Sequence, residues 1–124
     1  MMGIRSLVVI VDDDESVRES LPHLLRELGF AAQAFTSAEE FLASDVVWQT
    51  RCLILDIAMP GMSGFGLQEE LSRRRCAIPI VFITAHEDET VRPRLLEAGA
   101  VDCLFKPFSG QALRDAVHTA LRLA

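Results

Sequence analysis

The sequence has no tyrosine, one tryptophan and a single lysine, Lys106. Its three cysteines, Cys52, Cys76 and Cys103, are odd in number and far apart, with no CxxC pair and no Cys/His spacing that suits a metal. A zinc site is therefore excluded, and reduced, buried thiols are expected. No run approaches the ~18 apolar residues that would span a bilayer. The apolar stretch near the start, LVVIV, is followed at once by four acids and is shorter than the ~7–15-residue core of a secretory signal. A cytoplasmic location is the expectation. No GxGxxG follows any apolar run. The formal net charge of −6 disfavours phosphate backbones, so this chain by itself is not expected to bind nucleic acid. The one basic run, Arg73–Arg75, falls where a helix is expected to end, and the helix dipole favours cations there.

Half of the 124 residues are hydrophobic, enough for one well-buried core in one domain spanning 1–124. Apolar runs alternate with helical patterns. Strands are expected at Leu7–Val11, Ala31–Phe35, Cys52–Asp56, Ile80–Thr84 and Val101–Phe105. Asp14 can cap the first helix, whose face carries Val17, Leu21, Leu24 and Leu28 before Gly29 ends it. Ser37 with Glu40 reads as a capping box for a short second helix through Ala43. A third helix follows the turn Met59–Gly64, with Phe65, Leu67 and Leu71 turned inward in part. A fourth helix ends at Gly99. Ser109 caps a last one with Leu113, Val117 and Leu121 on one face.

Five strands, each followed by a helix, imply a parallel sheet covered on both faces. The continuous apolar runs belong at its centre, and AAQAF belongs at an edge. The fold class is therefore α/β, a doubly wound (βα)5 sheet in the flavodoxin-like order 2-1-3-4-5.

Such sheets bind ligands at the carboxyl ends of their strands, near the switch in strand order. Asp12, Asp13 and Asp14 follow the first strand, Asp56 ends the third, Thr84 ends the fourth, and Lys106 follows the fifth. Each has a bland reading taken singly. Acids are favoured at a helix start, Asp56 can form a turn, Thr84 can cap, and Lys106 can be a surface charge. Their joint placement at four strand ends is the informative fact. Clustered carboxylates repel and call for a cation, and hard oxygen donors suit Mg²⁺. A magnesium ion, a lysine and a hydroxyl around one carboxylate make a phosphoryl-transfer site.

The segments VVIVDDDESVR, LILDIAMPGMSG, IVFITAH and EAGAVDCLFKPF resemble the bacterial response-regulator receiver family over essentially the whole chain. The wording is most similar to the subfamily that carries a C-terminal helix-turn-helix DNA-binding domain. The resemblance implies a phosphoacceptor switch rather than an enzyme. Asp56 would accept a phosphoryl group from the phosphohistidine of a sensor histidine kinase. Asp13 would ligate Mg²⁺ directly and Asp12 through water, and Asp56 and the Ala58 carbonyl would complete the metal site. Thr84 and the backbone N–H groups of Ala58 and Ala85 would bond the phosphoryl group, and Lys106 would ion-pair with it. Ala58 and His86 would flank the path of attacking water. The resemblance also implies a cis peptide at Lys106–Pro107, aiming the Lys106 ammonium at Asp56.

Two features depart from the family. Cys103 stands where many relatives have Tyr or Phe, so no ring can report the phosphorylated state there. Cys103 reads either as a small core residue, in which case the response must pass through Thr84 and the fourth helix, or as a redox thiol, which would have to be exposed and of low pKa. Pro22 and Pro93 fall inside expected helices. Pro93 implies a late start to the fourth helix, with Thr90 as N-cap and Glu87–Glu89 as loop. The face from Thr90 to Phe105 plus the last helix is the expected surface for phosphorylation-dependent pairing with a second copy or an effector domain. The main rival is a phosphatase with an aspartyl nucleophile. Such enzymes carry a general-acid Asp two residues after the nucleophile, and here that residue is Ala58.

Overall fold

The computed structural model describes residues 5–85 and 90–123. Five parallel strands, β1 (Leu7–Val11), β2 (Ala31–Phe35), β3 (Cys52–Asp56), β4 (Ile80–Thr84) and β5 (Asp102–Phe105), lie in the order β2-β1-β3-β4-β5. Helices α1 (Glu15–Glu27), α2 (Ala38–Leu42), α3 (Gly64–Arg73), α4 (Val91–Glu97) and α5 (Gly110–Leu123) connect or follow them. The expected order and the edge position of β2 hold, and β5 begins one residue later than the apolar run suggested. A short 3-10 turn, Val47–Gln49, was not foreseen.

The strands form because their β-branched and aliphatic residues pack on both faces. Every residue of β3 and β4 is buried. Alternate residues go to opposite sides. Val9, Val11, Leu53, Leu55 and Phe82 meet Phe41 of α2, Leu67 and Leu71 of α3 and Leu95 of α4. Val8, Ile10, Ile54, Val81 and Ile83 meet Leu21 and Leu25 of α1 and Leu113 and Val117 of α5. Each fully buried side chain of this size contributes ~1.5–3 kcal/mol, so these two layers dominate the stability.

Local signals set the helix ends. The Asp14 carboxylate accepts from the Ser16 N–H at 2.9 Å and caps α1. Ser37 Oγ accepts from the Glu40 N–H at 3.0 Å, while the Glu40 carboxylate accepts from the Thr36 N–H at 3.0 Å, one residue upstream of the usual reciprocal bond. Ser109 Oγ accepts from the Ala112 N–H at the start of α5. α4 starts at Val91, directly after Thr90, which leaves Pro93 in its first turn. Residues 87–89 lie outside the described part, as does His86. Pro22 sits buried within an unbroken α1. Phe65 is the outermost of the three residues expected to turn inward in part: it is 40% exposed on α3, with its ring tilted against that of buried Phe82, centroids 5.8 Å apart. It lies in the first turn, ahead of the buried Leu67 and Leu71.

Candidate functional site

The parallel sheet brings the carboxyl ends of all its strands to one edge. β1 and β3 are neighbours, with Val11 opposite Leu55. Carrying that register one residue further sets Asp12 beside Asp56, at the point where the strand order switches. Asp12 is fully buried and Asp56 is 8% exposed, whereas Asp13 faces solvent. One carboxylate oxygen from each of the three lies within 4.8 Å of the others.

Asp12 is held on every side. Its Oδ1 accepts from the Asp14 N–H at 2.9 Å, and its Oδ2 accepts from Lys106 Nζ at 2.9 Å. Its backbone N–H donates to the Phe35 carbonyl, and its carbonyl accepts from Arg18 Nη1 at 3.1 Å. Lys106 thus reaches Asp12 rather than Asp56, which corrects the expected aim of its ammonium. The physical reason is charge: the buried Asp12 carboxylate needs a cation, and β5 delivers one. Burial by itself would lower the Lys106 pKa. The hydrogen bond and charge of Asp12, with Asp56 and Asp14 behind, outweigh it and hold the amine above its ordinary value. The Lys106–Pro107 peptide is cis, as expected.

Asp56 behaves oppositely. Burial, then the negative charge of Asp12, pushes its carboxyl from 3.8 up to about 7, with Lys106 opposing. Two adjacent carboxyl groups that disfavour joint ionisation are the mark of a site built around a further positive charge. Three hard oxygen donors in this cluster fit a divalent cation such as Mg²⁺. Thr84 is buried at the end of β4, two strands from Asp12, and its carbonyl accepts from the Lys106 N–H at 2.8 Å. Ala58 and Ala85 are exposed on the same edge, just past β3 and β4.

Three residues that shape this edge were not singled out from the sequence. Arg18 braces the turn after β1, and only its place at the end of VVIVDDDESVR hinted at it. Gly64 lies so close to Asp56 that an added Cβ would sit 2.5 Å from the Asp56 carbonyl oxygen and 3.1 Å from Phe82 Cε1. The glycine in MPGMSG was the available signal. Glu39 of α2 accepts from the Met62 N–H at 3.0 Å, a contact between residues 23 apart that no local pattern announces.

The thiols are shielded. All three cysteines are free and buried. Burial pushes Cys52 up to about 12 and raises Cys103, the reverse of what a reactive thiol requires.

A doubly wound sheet with a lysine-paired carboxylate cluster at its switch point defines a phosphoryl-handling signalling module. The model of the response regulator receiver domain matches residues 8–118, and the chain belongs to this family. It is 47% identical to nodulation protein W of Bradyrhizobium diazoefficiens over 94% of this chain and 51% of that protein. It is 40% identical to transcriptional regulatory protein TdiR of Thauera aromatica, over 98% of this chain and 53% of that one. The chain thus spans about half the length of the curated relatives it matches. Among solved structures, the crystal structure of FixJ-N superposes with a TM-score of 0.86 at 38% identity, covering 99% of this chain and 98% of that one. The fold and the phosphoacceptor-switch function expected from the sequence are those of this family, and no match favours the phosphatase reading.

Proposed function

We propose that Asp56 accepts the phosphoryl group, taken from a phosphohistidine on a sensor kinase, and that the change of state is passed to an effector or a second copy. The observation that carries this reading is the position of Asp56: it ends a wholly buried central strand, its carboxylate oxygen within 4.8 Å of those of Asp12 and Asp13, beside the half-buried Lys106 paired with buried Asp12. An Asp56 oxygen attacks phosphorus in line, the P–N bond of the donor breaks, and the imidazole leaves with the bonding pair. Receiver domains generally bind Mg²⁺ at an acidic pocket, and here Asp12, Asp13, Asp56 and the Ala58 carbonyl would hold it. Bound there, Mg²⁺ would supply charge stabilisation to the phosphoryl oxygens. Lys106 holds Asp12 in place and stands ready as a cation for the incoming group. Thr84 would bond a phosphoryl oxygen with its hydroxyl, joined by the N–H groups of Ala58 and Ala85.

The chain would then act as a switch and not as a turnover enzyme. Among the described residues no helix is long and apolar enough to cross a membrane, and a cytoplasmic setting belongs to this reading. The relative named as a transcriptional regulatory protein is about twice as long as this chain, which supports an effector domain as the output. With Cys103 small and 3% exposed, the response runs from Thr84 to α4, which the Arg92–Asp102 ion pair (2.8 Å) ties to β5. The test is incubation with Mg²⁺ and a small phosphodonor, followed by intact-mass measurement. A gain of one phosphoryl group per chain is expected. Steady phosphate release with rapid turnover would instead point to the phosphatase.

A further inference from the structure

The segment that follows Asp56 must place two groups: the carbonyl of Ala58 and its backbone N–H. Ala58 is exposed and small, so its own side chain anchors nothing. The loop from Ile57 to Ser63 is instead fixed at its two ends and at its tip. At the base, the Ile57 N–H donates to the Ile83 carbonyl at 3.3 Å, and the Gly64 N–H closes the loop onto the Ile57 carbonyl at 2.9 Å. Gly64 packs against the Asp56 backbone with no room for a Cβ, so this closure is tight. Ser63 is committed to capping α3, its Oγ accepting from the Gly66 N–H at 3.1 Å.

The tip is held from another element. Glu39, in the first turn of α2, points its carboxylate at the Met62 N–H, 3.0 Å away. The same carboxylate lies over Gly61, whose φ is +76°, and a Cβ there would meet Glu39 Oε2 at 2.6 Å. Glycine at 61 thus serves twice: it allows the left-handed turn and leaves the space that Glu39 occupies. Its neighbour Glu40 is used differently, closing the α2 cap through Thr36. Among the described residues the Glu39 side chain makes no bond within its own helix start, where it contributes only acidic charge, and it is spent on the loop. α2 itself is anchored by the fully buried Ala38 and Phe41, so the clamp is mounted on a rigid support.

We propose that Glu39 is a positioning residue for the phosphorylation site: by holding the Met62 N–H across Gly61 it fixes the loop that presents the Ala58 backbone to the cation and the phosphoryl group. The proposal rests on the reading of Asp56 as acceptor. Glu39 does not touch the reacting atoms. It acts at the tip of a loop whose base is already closed, so releasing it leaves Asp56, Asp12 and Asp13 in place while letting the Ala58 segment move. A carboxylate acceptor on a backbone N–H forms one of the stronger hydrogen bonds, and a carbonyl oxygen can replace it in the same direction.

The test compares the parent with Glu39→Ala and Glu39→Gln. The first readout needs neither metal nor donor: amide hydrogen exchange at Met62 in the metal-free protein. Glu39→Ala is expected to speed that exchange, with exchange in β3 and β4 unchanged. The second readout is Mg²⁺ titration, where residues that orient ligands from behind change affinity by ~10–100-fold. Because this clamp acts from the surface, the lower end, about tenfold weaker binding, is expected for Glu39→Ala. The initial rate of phosphorylation by a small phosphodonor at subsaturating Mg²⁺ should fall in step. Glu39→Gln should restore all three towards the parent. Unchanged Mg²⁺ affinity and rate in Glu39→Ala would overturn the proposal. So would a Glu39→Gln variant as impaired as Glu39→Ala, which would show that acidic charge at the start of α2, and not the bond to Met62, is what matters. A parent that takes no phosphoryl group would instead refute the acceptor reading, while Met62 exchange and Mg²⁺ affinity would still decide the role of Glu39.

Discussion

Asp56 keeps its proton far longer in the folded protein than in the unfolded chain, and stability must follow. The unfolded chain releases it near the ordinary 3.8, whereas the folded, metal-free protein holds it up to about 7. Between these values the folded state binds one more proton than the unfolded state, so stability falls as pH rises. The Asp56 contribution is complete below 3.8 and lost by about 7. A full proton difference is worth ~1.36 kcal/mol per pH step of one. The difference shrinks as pH nears the folded value, so moving from pH 5 to pH 7 would cost about 2 kcal/mol. Asp56 is nearly inaccessible, so solvent screening takes little more away. The assay is denaturant unfolding in chelator at both pH values, for the parent and for Asp56→Asn. Subtracting the variant cancels every other titrating group. The parent should lose about 2 kcal/mol more than Asp56→Asn between the two pH values. Excess Mg²⁺ at pH 7 should recover that loss, because the cation favours the ionised form. Equal losses in the two proteins would refute the argument.

Other perturbations address the remaining parts. Gly64→Ala drives a Cβ to 2.5 Å from the Asp56 carbonyl oxygen, so it should destabilise by about 2 kcal/mol and weaken Mg²⁺ binding; an unfolding midpoint equal to the parent's would contradict the close approach. Lys106→Met strands the buried Asp12 carboxylate and should cost about 3 kcal/mol without metal, with partial recovery in Mg²⁺; no change in denaturant midpoint would show that the pair carries no such weight. Thr84→Ala should uncouple self-association from phosphorylation while Cys103→Ala leaves it nearly unchanged, measured by sedimentation with and without phosphodonor; the reverse pattern would move the switch to Cys103.

Much of this protein is legible in its sequence because each local signal agrees with the global fold. LVVIV, CLIL and IVFI are apolar throughout, which only a strand buried on both faces tolerates, and β1, β3 and β4 lie where those runs stand. Asp14, Ser37 and Ser109 cap the helices they precede because short polar side chains satisfy free N–H groups. The carboxylate cluster was equally readable, since parallel strands deliver their ends to one edge. What escaped is what depends on distance in space. The register of β1 on β3 decides that Asp12 is buried while Asp13 is not, and that in turn draws Lys106 to Asp12. Phe65 reads as apolar but sits on the first turn of α3, ahead of the stripe that faces the sheet. Glu39 and Met62 meet only because α2 and the loop after β3 cover the same face, which no periodicity encodes.

The central claim is that Asp56 itself carries the phosphoryl group. Parent and Asp56→Asn are incubated side by side with Mg²⁺ and a small phosphodonor, and intact mass is followed over time, with peptide mapping after trapping of the acyl phosphate. The account predicts one phosphoryl group on the parent, located at Asp56, and none on the variant, with both proteins folded. An Asp56→Asn variant that gains a stable phosphoryl group elsewhere at the parent's rate would contradict it.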